Sequence, residues 1–115
     1  MLSFQRLNVY QRAIEFLVVA IEIVERLPPG HAQRADQLER PAESVVRNIA
    51  EAAGRWSKAD CQKHYRIARG EAMESASCLD VFKVRRVVAA EDYDRGISLL
   101  VEVVAMLTKL SVPDR

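Results

Sequence analysis

Between Leu38 and Asp60 the chain writes out the end of one helix, a tight turn and the start of another, and this punctuation constrains its fold more than any other stretch. Leu38, Val45, Ile49 and Trp56, with small Ala42 and Ala52 between them, keep the four-three spacing that draws one apolar seam along a helix face. Gly54 predicts a stop, because a glycine just past the last periodic turn can take the left-handed conformation that closes a helix. Ser57, with Asp60 three residues later, predicts a capping pair for the helix that follows. A chain that turns back this tightly sets two long helices side by side.

Four helical segments follow from the same reasoning. The first is expected from about Leu7 to Leu27, stopped by Pro28-Pro29-Gly30, which cannot continue a helix. The second is expected from about Ala32 to Ala53, the third from Lys58 to about Val88, and the fourth from about Asp92 to Ser111. Half of the 115 residues are apolar, four are glycine and four proline, and no stretch alternates as a strand would. Short connections make consecutive helices antiparallel neighbours, so the expected fold is all-α, an up-down-up-down four-helix bundle forming a single domain over residues 1–115. Pro41 is the local conflict: it predicts a late start to the second helix or a bend within it.

The first and fourth helices are apolar over more than one face. Ala13 to Val24 is relieved only by Glu15 and Glu22, and Ile97 to Leu107 only by Ser98 and Glu102. An outer helix of a lone bundle needs an apolar stripe a little over 100° wide, so the excess predicts self-association. Phe16, Val19 and Ile23 of the first helix and Leu100, Val104 and Leu107 of the fourth are the candidate interface residues. The competing reading makes both helices central to the monomer's own core.

Charge is nearly balanced, with 17 basic against 16 acidic residues, so net charge argues for no polyanionic partner. Cys61 and Cys78 fall on one expected helix roughly 25 Å apart at about 1.5 Å per residue, too far to bridge, and predict free thiols in a reducing cytoplasm. The run from Ala13 to Val24 is too short and too interrupted to span a membrane. A cytoplasmic protein with no membrane association is expected.

Little in the sequence offers catalysis. On the second helix Asp36, Arg40, Glu43, Arg47, Glu51 and Arg55 alternate in sign at three or four residues, a solvated ridge that needs no functional explanation. His31 lies in a turn, and His64, near Asp60 and Cys61, lacks the second ligand pair that a closed zinc site requires. There is no phosphate loop, serine elbow or dinucleotide fingerprint, and the acids Glu91, Asp92 and Asp94 suit the start of a helix. The expectation is a non-enzyme with no metal and no cofactor.

One cluster could bind a ligand. Arg55, Lys58, Lys63, Arg66 and Arg69, interrupted only by Asp60, are interleaved with Trp56, His64 and Tyr65. Cations with aromatics suit single-stranded RNA or DNA, whose phosphates pair with the cations while bases stack on rings. Trp56 and Tyr65 serve equally well as core residues. A second group, Lys83, Arg85 and Arg86, complements a helix C-terminus. The small residues Ala68, Gly70, Ala72, Ser75 and Ala76 predict close packing of the third helix on the second.

The arrangement Ser44-x-x-x-Asn48-Ile49-Ala50-Glu51-x-x-Gly54-Arg55-x-Ser57-x-x-Asp60, followed by Ile67-Ala68-x-Gly70 and Glu74, resembles the four-helix-bundle family encoded by intervening sequences in bacterial 23S ribosomal RNA genes. That family also includes the accessory variability determinant of diversity-generating retroelements. Leu7-x-Val9-Tyr10-Gln11-x-Ala13 is similar to the family's opening. The resemblance implies an antiparallel bundle assembled as a homopentameric ring. It marks Asn48, Glu51, Arg55, Ser57 and Asp60 as a motif patch, and implies for retroelement members binding to nucleic acid through a basic surface. Ala52, Glu71 and Pro41 stand where the family usually has Gly, Ser and Ala.

Overall fold

A computed structural model describes residues 1–112; the last three residues of the expected domain lie outside the described residues. A short 3-10 turn, Ser3–Arg6, leads into α1 (Asn8–Glu25), α2 (Ala32–Ala53), α3 (Lys58–Val84) and α4 (Ala90–Ser111). Each helix packs on its chain neighbours and α4 closes back on α1, so the described residues form the expected all-α four-helix bundle.

Helix ends follow from local chemistry. Gly30, at φ +94°, takes the left-handed conformation that brings the chain from α1 into α2. The Ser57 hydroxyl accepts the Asp60 amide at 3.1 Å and caps α3 as expected. At the other end α3 stops at Val84, short of the expected Val88. The Arg86 amide bonds the Lys83 carbonyl and the Val87 amide the Phe82 carbonyl, both at 3.0 Å, with Arg86 left-handed at φ 59°. This is the Schellman closure, with arginine in the place that usually holds glycine.

Pro41 does not delay α2, which begins at Ala32 and carries the buried proline in its interior. The proline has no N–H for the Gln37 carbonyl one turn back, and the Cys78 thiol of α3 donates to that carbonyl instead, at 3.2 Å. α2 and α3 make the most extensive helix pairing, helped by buried Ala68, Ala72 and Ser75. The Ser75 hydroxyl donates to the Glu71 carbonyl at 2.9 Å, which satisfies it inside the core.

The core runs the length of the bundle through Phe16, Ile23, Leu38, Ile49, Leu79, Phe82, Val103 and Leu107. Each such side chain contributes about 1.5–3 kcal/mol by leaving water. Gly96 lets α4 come close: a Cβ there would stand 2.9 Å from Leu79 Cδ1 and 3.6 Å from Phe16 Cε1. Arg12–Glu102, Arg95–Glu22 and Arg26–Asp92 ion pairs at 3.5, 3.4 and 2.9 Å line the α1–α4 seam.

The candidate interface residues need correction. Phe16, Val19, Ile23, Leu100 and Leu107 lie in the chain's own core and form the inner stripes of α1 and α4, which α2 and α3 already cover. Val104 is half-buried at the edge of that core and also lines the outer face of α4. The surplus that remains outside is Ile14, Val18 and Ile21 on α1 and Val101 and Leu110 on α4.

Candidate functional site

The motif patch builds the turn between α2 and α3. Asn48 Nδ2 donates to the Ser44 carbonyl at 2.9 Å and to Ser44 Oγ at 3.0 Å, and its Oδ1 lies 3.4 Å from His64 Nδ1 on α3. Glu51 pairs with Arg55 one turn later. The Cys61 thiol donates to the Arg55 carbonyl at 3.4 Å, while Ser57 and Asp60 form the cap. These contacts fix a four-residue connection, residues 54–57, between two long helices.

Trp56 crowns that connection and is 102% exposed. The seam that ends on Trp56 in the sequence stops at Ala52 in the structure. Once α2 terminates at Ala53, the helical count no longer assigns a face. Tyr65 is the opposite case. It is buried, and burial, with the Cys61 thiol as a smaller contributor, pushes its hydroxyl pKa up. Of Trp56 and Tyr65, Trp56 alone presents its faces to solvent.

The five candidate cations divide. Arg66 donates to the Ser111 carbonyl at 3.1 Å and Arg69 Nε to Thr108 Oγ1 at 2.8 Å. Gln62 adds a bond to the Val112 carbonyl at 3.0 Å. Gln62 and Arg66 of α3 thus satisfy carbonyls at the end of α4, where cations are favourable, and Arg69 holds a hydroxyl of the same last turns. Arg55 is paired with Glu51, Lys58 has a partner as well, and both Lys58 and Lys63 are exposed to solvent on the first two turns of α3. In the other basic group, the Lys83 ammonium sits 4.5 Å over the Tyr93 ring, whose hydroxyl donates to Asp80 at 2.6 Å.

Sequence reasoning missed a polar groove of about 590 Å³ between α2 and α3, lined by Asp36, Gln37, Arg40, Glu71, Glu74 and Cys78 among others. Partial burial, then the neighbouring Glu74 charge, raises the Glu71 carboxyl pKa. The same two causes in the same order raise that of the Cys78 thiol. Cys78 is therefore held as a thiol, the opposite of an activated nucleophile. The only signal for this groove is the pairing of Pro41 with a cysteine across two helices, which spacing along the chain does not reveal. Among the described residues no group of three or more His, Cys, Asp or Glu side chains is placed to hold a metal ion. None of the described helices is long and apolar enough to cross a membrane.

On the outside, Met73 of α3 and Ile97, Leu100, Val101, Val104 and Ala105 of α4 line an apolar groove of about 300 Å³. Val101, 63% exposed, is its most open large side chain after those at the bundle ends. Ile14, Val18 and Ile21 form a second apolar strip on α1.

A sequence profile of the 23S rRNA-intervening sequence protein family matches residues 5–109, from the first turn to the last turn of α4. The chain belongs to that family. A solved structure from Bacteroides thetaiotaomicron VPI-5482, a protein of unknown function from the S23 ribosomal protein family, superposes with a TM-score of 0.81 at 23% identity. The match covers 91% of this chain and 99% of the other, so the likeness extends to the whole bundle and not to one helical hairpin. Among curated proteins no sequence matches.

Proposed function

We propose that this member of the 23S rRNA-intervening sequence protein family is a non-catalytic assembly module of the cytoplasm that forms a closed homo-oligomer, five-membered as the family resemblance implies. One observation carries the reading: the two exposed apolar strips lie on different flanks of the bundle. Arg12 and Glu22 reach α4 and so mark the α4 side of α1. At 3.6 residues per turn Ile14, Val18 and Ile21 face outward and lean, with half-buried Leu17, toward α2. On α4 the strip of Ile97, Val101, Val104 and Ala105 leans toward Met73 of α3. Two such strips on one subunit favour a head-to-tail contact, in which α1 of one copy meets the α3–α4 groove of the next, and a contact of that kind makes a ring where its rotation closes and a filament where it does not.

The test is mass by light scattering on the protein and two surface variants, Val18→Glu and Val101→Glu. Each variant alone is expected as a monomer, and a mixture as a 1:1 dimer, because each supplies the strip that the other has lost. A monomeric parent protein at working concentration would defeat the reading. A Val101→Glu variant that keeps its assembly would replace it with a symmetric α1–α1 contact.

A second reading makes the assembly an accessory that binds RNA or DNA, in the manner of the retroelement accessory determinant that the motif resembles. Lys58, Lys63 and exposed Trp56 at one end of each bundle favour it, since a ring would repeat that end in every subunit. Arg66 and Arg69 contribute less to it, being engaged with α4. Salt titration of binding separates it from a scaffold that recruits proteins alone.

A further inference from the structure

Trp56 is the chain's one tryptophan, and none of the described residues covers it. A large ring left in water is costly to leave exposed, yet the turn that holds it is built with care. Ser57 caps the following helix, the Cys61 thiol anchors the Arg55 carbonyl, and the Gly54 amide bonds the Ala50 and Glu51 carbonyls, both at 3.2 Å. The ring is carried on a fixed support and not on a loose loop. Beside it a shallow recess of about 370 Å³, lined by Ala50, Glu51, Gly54 and Arg55, leaves room for one planar group against the indole.

The surroundings select the occupant. The anchor of a protein interface sits within a packed apolar surround, and a membrane-seeking tryptophan has apolar company. Trp56 has neither: Arg55, Ser57, Lys58, Ala59 and Asp60 around it are polar or small and all exposed. A lone aromatic face followed by exposed lysines on the first two turns of the adjoining helix fits an unstacked base on a charged backbone. Duplex nucleic acid keeps its base faces inside the stack, where this ring has no access.

We propose that Trp56 is a stacking platform for an unpaired nucleobase, with Lys58 and Lys63 meeting the flanking phosphates. The proposal rests on the nucleic-acid reading of this end of the bundle and assigns to it a single-stranded ligand and a contact residue.

The sole tryptophan makes the site its own reporter. The assembled protein is titrated with a labelled single-stranded oligoadenylate, with the same strand in a duplex, and with an abasic strand of equal length, following both the indole emission and the anisotropy of the label. The single strand is expected to quench the emission, and the duplex and abasic strands to leave it unchanged. Trp56→Ala, at a surface position, should weaken single-strand binding on the order of tenfold without changing the assembly mass, while Trp56→Phe retains most of the affinity. Lys63→Glu should weaken binding and flatten its salt dependence.

Binding of the strand with unchanged emission and full affinity in Trp56→Ala would overturn the platform and leave the nucleic-acid reading in place. Absence of binding at low salt by the assembled protein would remove both. A blue shift of the emission with protein concentration alone would place Trp56 between copies of the chain and overturn the platform as well.

Discussion

The Cys78 thiol donates to the Gln37 carbonyl at 3.2 Å, across from α3 to α2, at the one turn of α2 where Pro41 withholds the amide that would have filled that place. Proline inside a helix costs about 3 kcal/mol, through the lost bond and the clash of its ring with the preceding turn. A thiol is a weak donor and returns only a fraction of that cost.

The two positions should therefore be coupled. Cys78→Ala is expected to lower stability by about 0.5–1.5 kcal/mol, since it leaves the Gln37 carbonyl without a protein donor. Pro41→Ala is expected to raise stability by about 1 kcal/mol or more by restoring the amide. In that background Cys78→Ala should cost measurably less. Urea unfolding of the four proteins in a double-mutant cycle reads the coupling, and strict additivity would show that the thiol contact carries no energy.

Glu71 gives a pH-dependent prediction. Its folded pKa lies above its unfolded value, so the stability it contributes is fully present below the unfolded pKa and is lost as pH rises through the folded one. Glu71→Gln, which mimics the protonated form, should match the parent in acid and exceed it in stability at neutral pH. The difference should open across the carboxylate range. Thermal melts at a series of pH values, with equal stability at pH 7 as the contrary result, decide the matter.

Arg86 is the remaining strained position, a non-glycine residue at φ 59°. Left-handed backbone costs a residue with a Cβ about 1–2 kcal/mol, and Arg86 is exposed, with little packing to lose. Arg86→Gly should raise the unfolding free energy by about 1 kcal/mol, and Arg86→Asn by part of that. A drop in melting temperature with glycine would mean that the arginine side chain contributes more than the backbone costs.

Helix positions were legible where the chain carries its own punctuation. The bounds of α2, the stop at Gly54 and the Ser57 cap are local facts, set by residues within one turn of each other, although Gly54 closes α2 at φ −87° and not in the expected left-handed conformation. The end of α3 was not, because its Schellman closure uses an arginine where the readable signal is a glycine. Faces were harder to read than helices. Periodicity shows that α1 and α4 carry apolar residues all around, yet which of them α2 and α3 cover depends on how the helices are rotated in the bundle. Phe16, Val19 and Ile23, an outer strip by periodicity, thus form the inner one. Arg66 and Arg69 read as ligand cations because their partners, Ser111 and Thr108, lie about forty residues away.

Gly96 has a consequence for how the chain avoids misassembly. The apolar residues of α4, Leu99, Leu100, Val103, Val104 and Leu107, are so alike that the helix could slide by a turn against α1 and still present a greasy face. The hollow between Leu79 and Phe16 accepts a hydrogen atom where any other residue would bring a carbon. A slip of one turn would push Asp92 or Leu100 into it, a buried charge in one direction and a collision in the other. One missing side chain thus works as an alignment notch, choosing a single register from several that the hydrophobic pattern alone would tolerate.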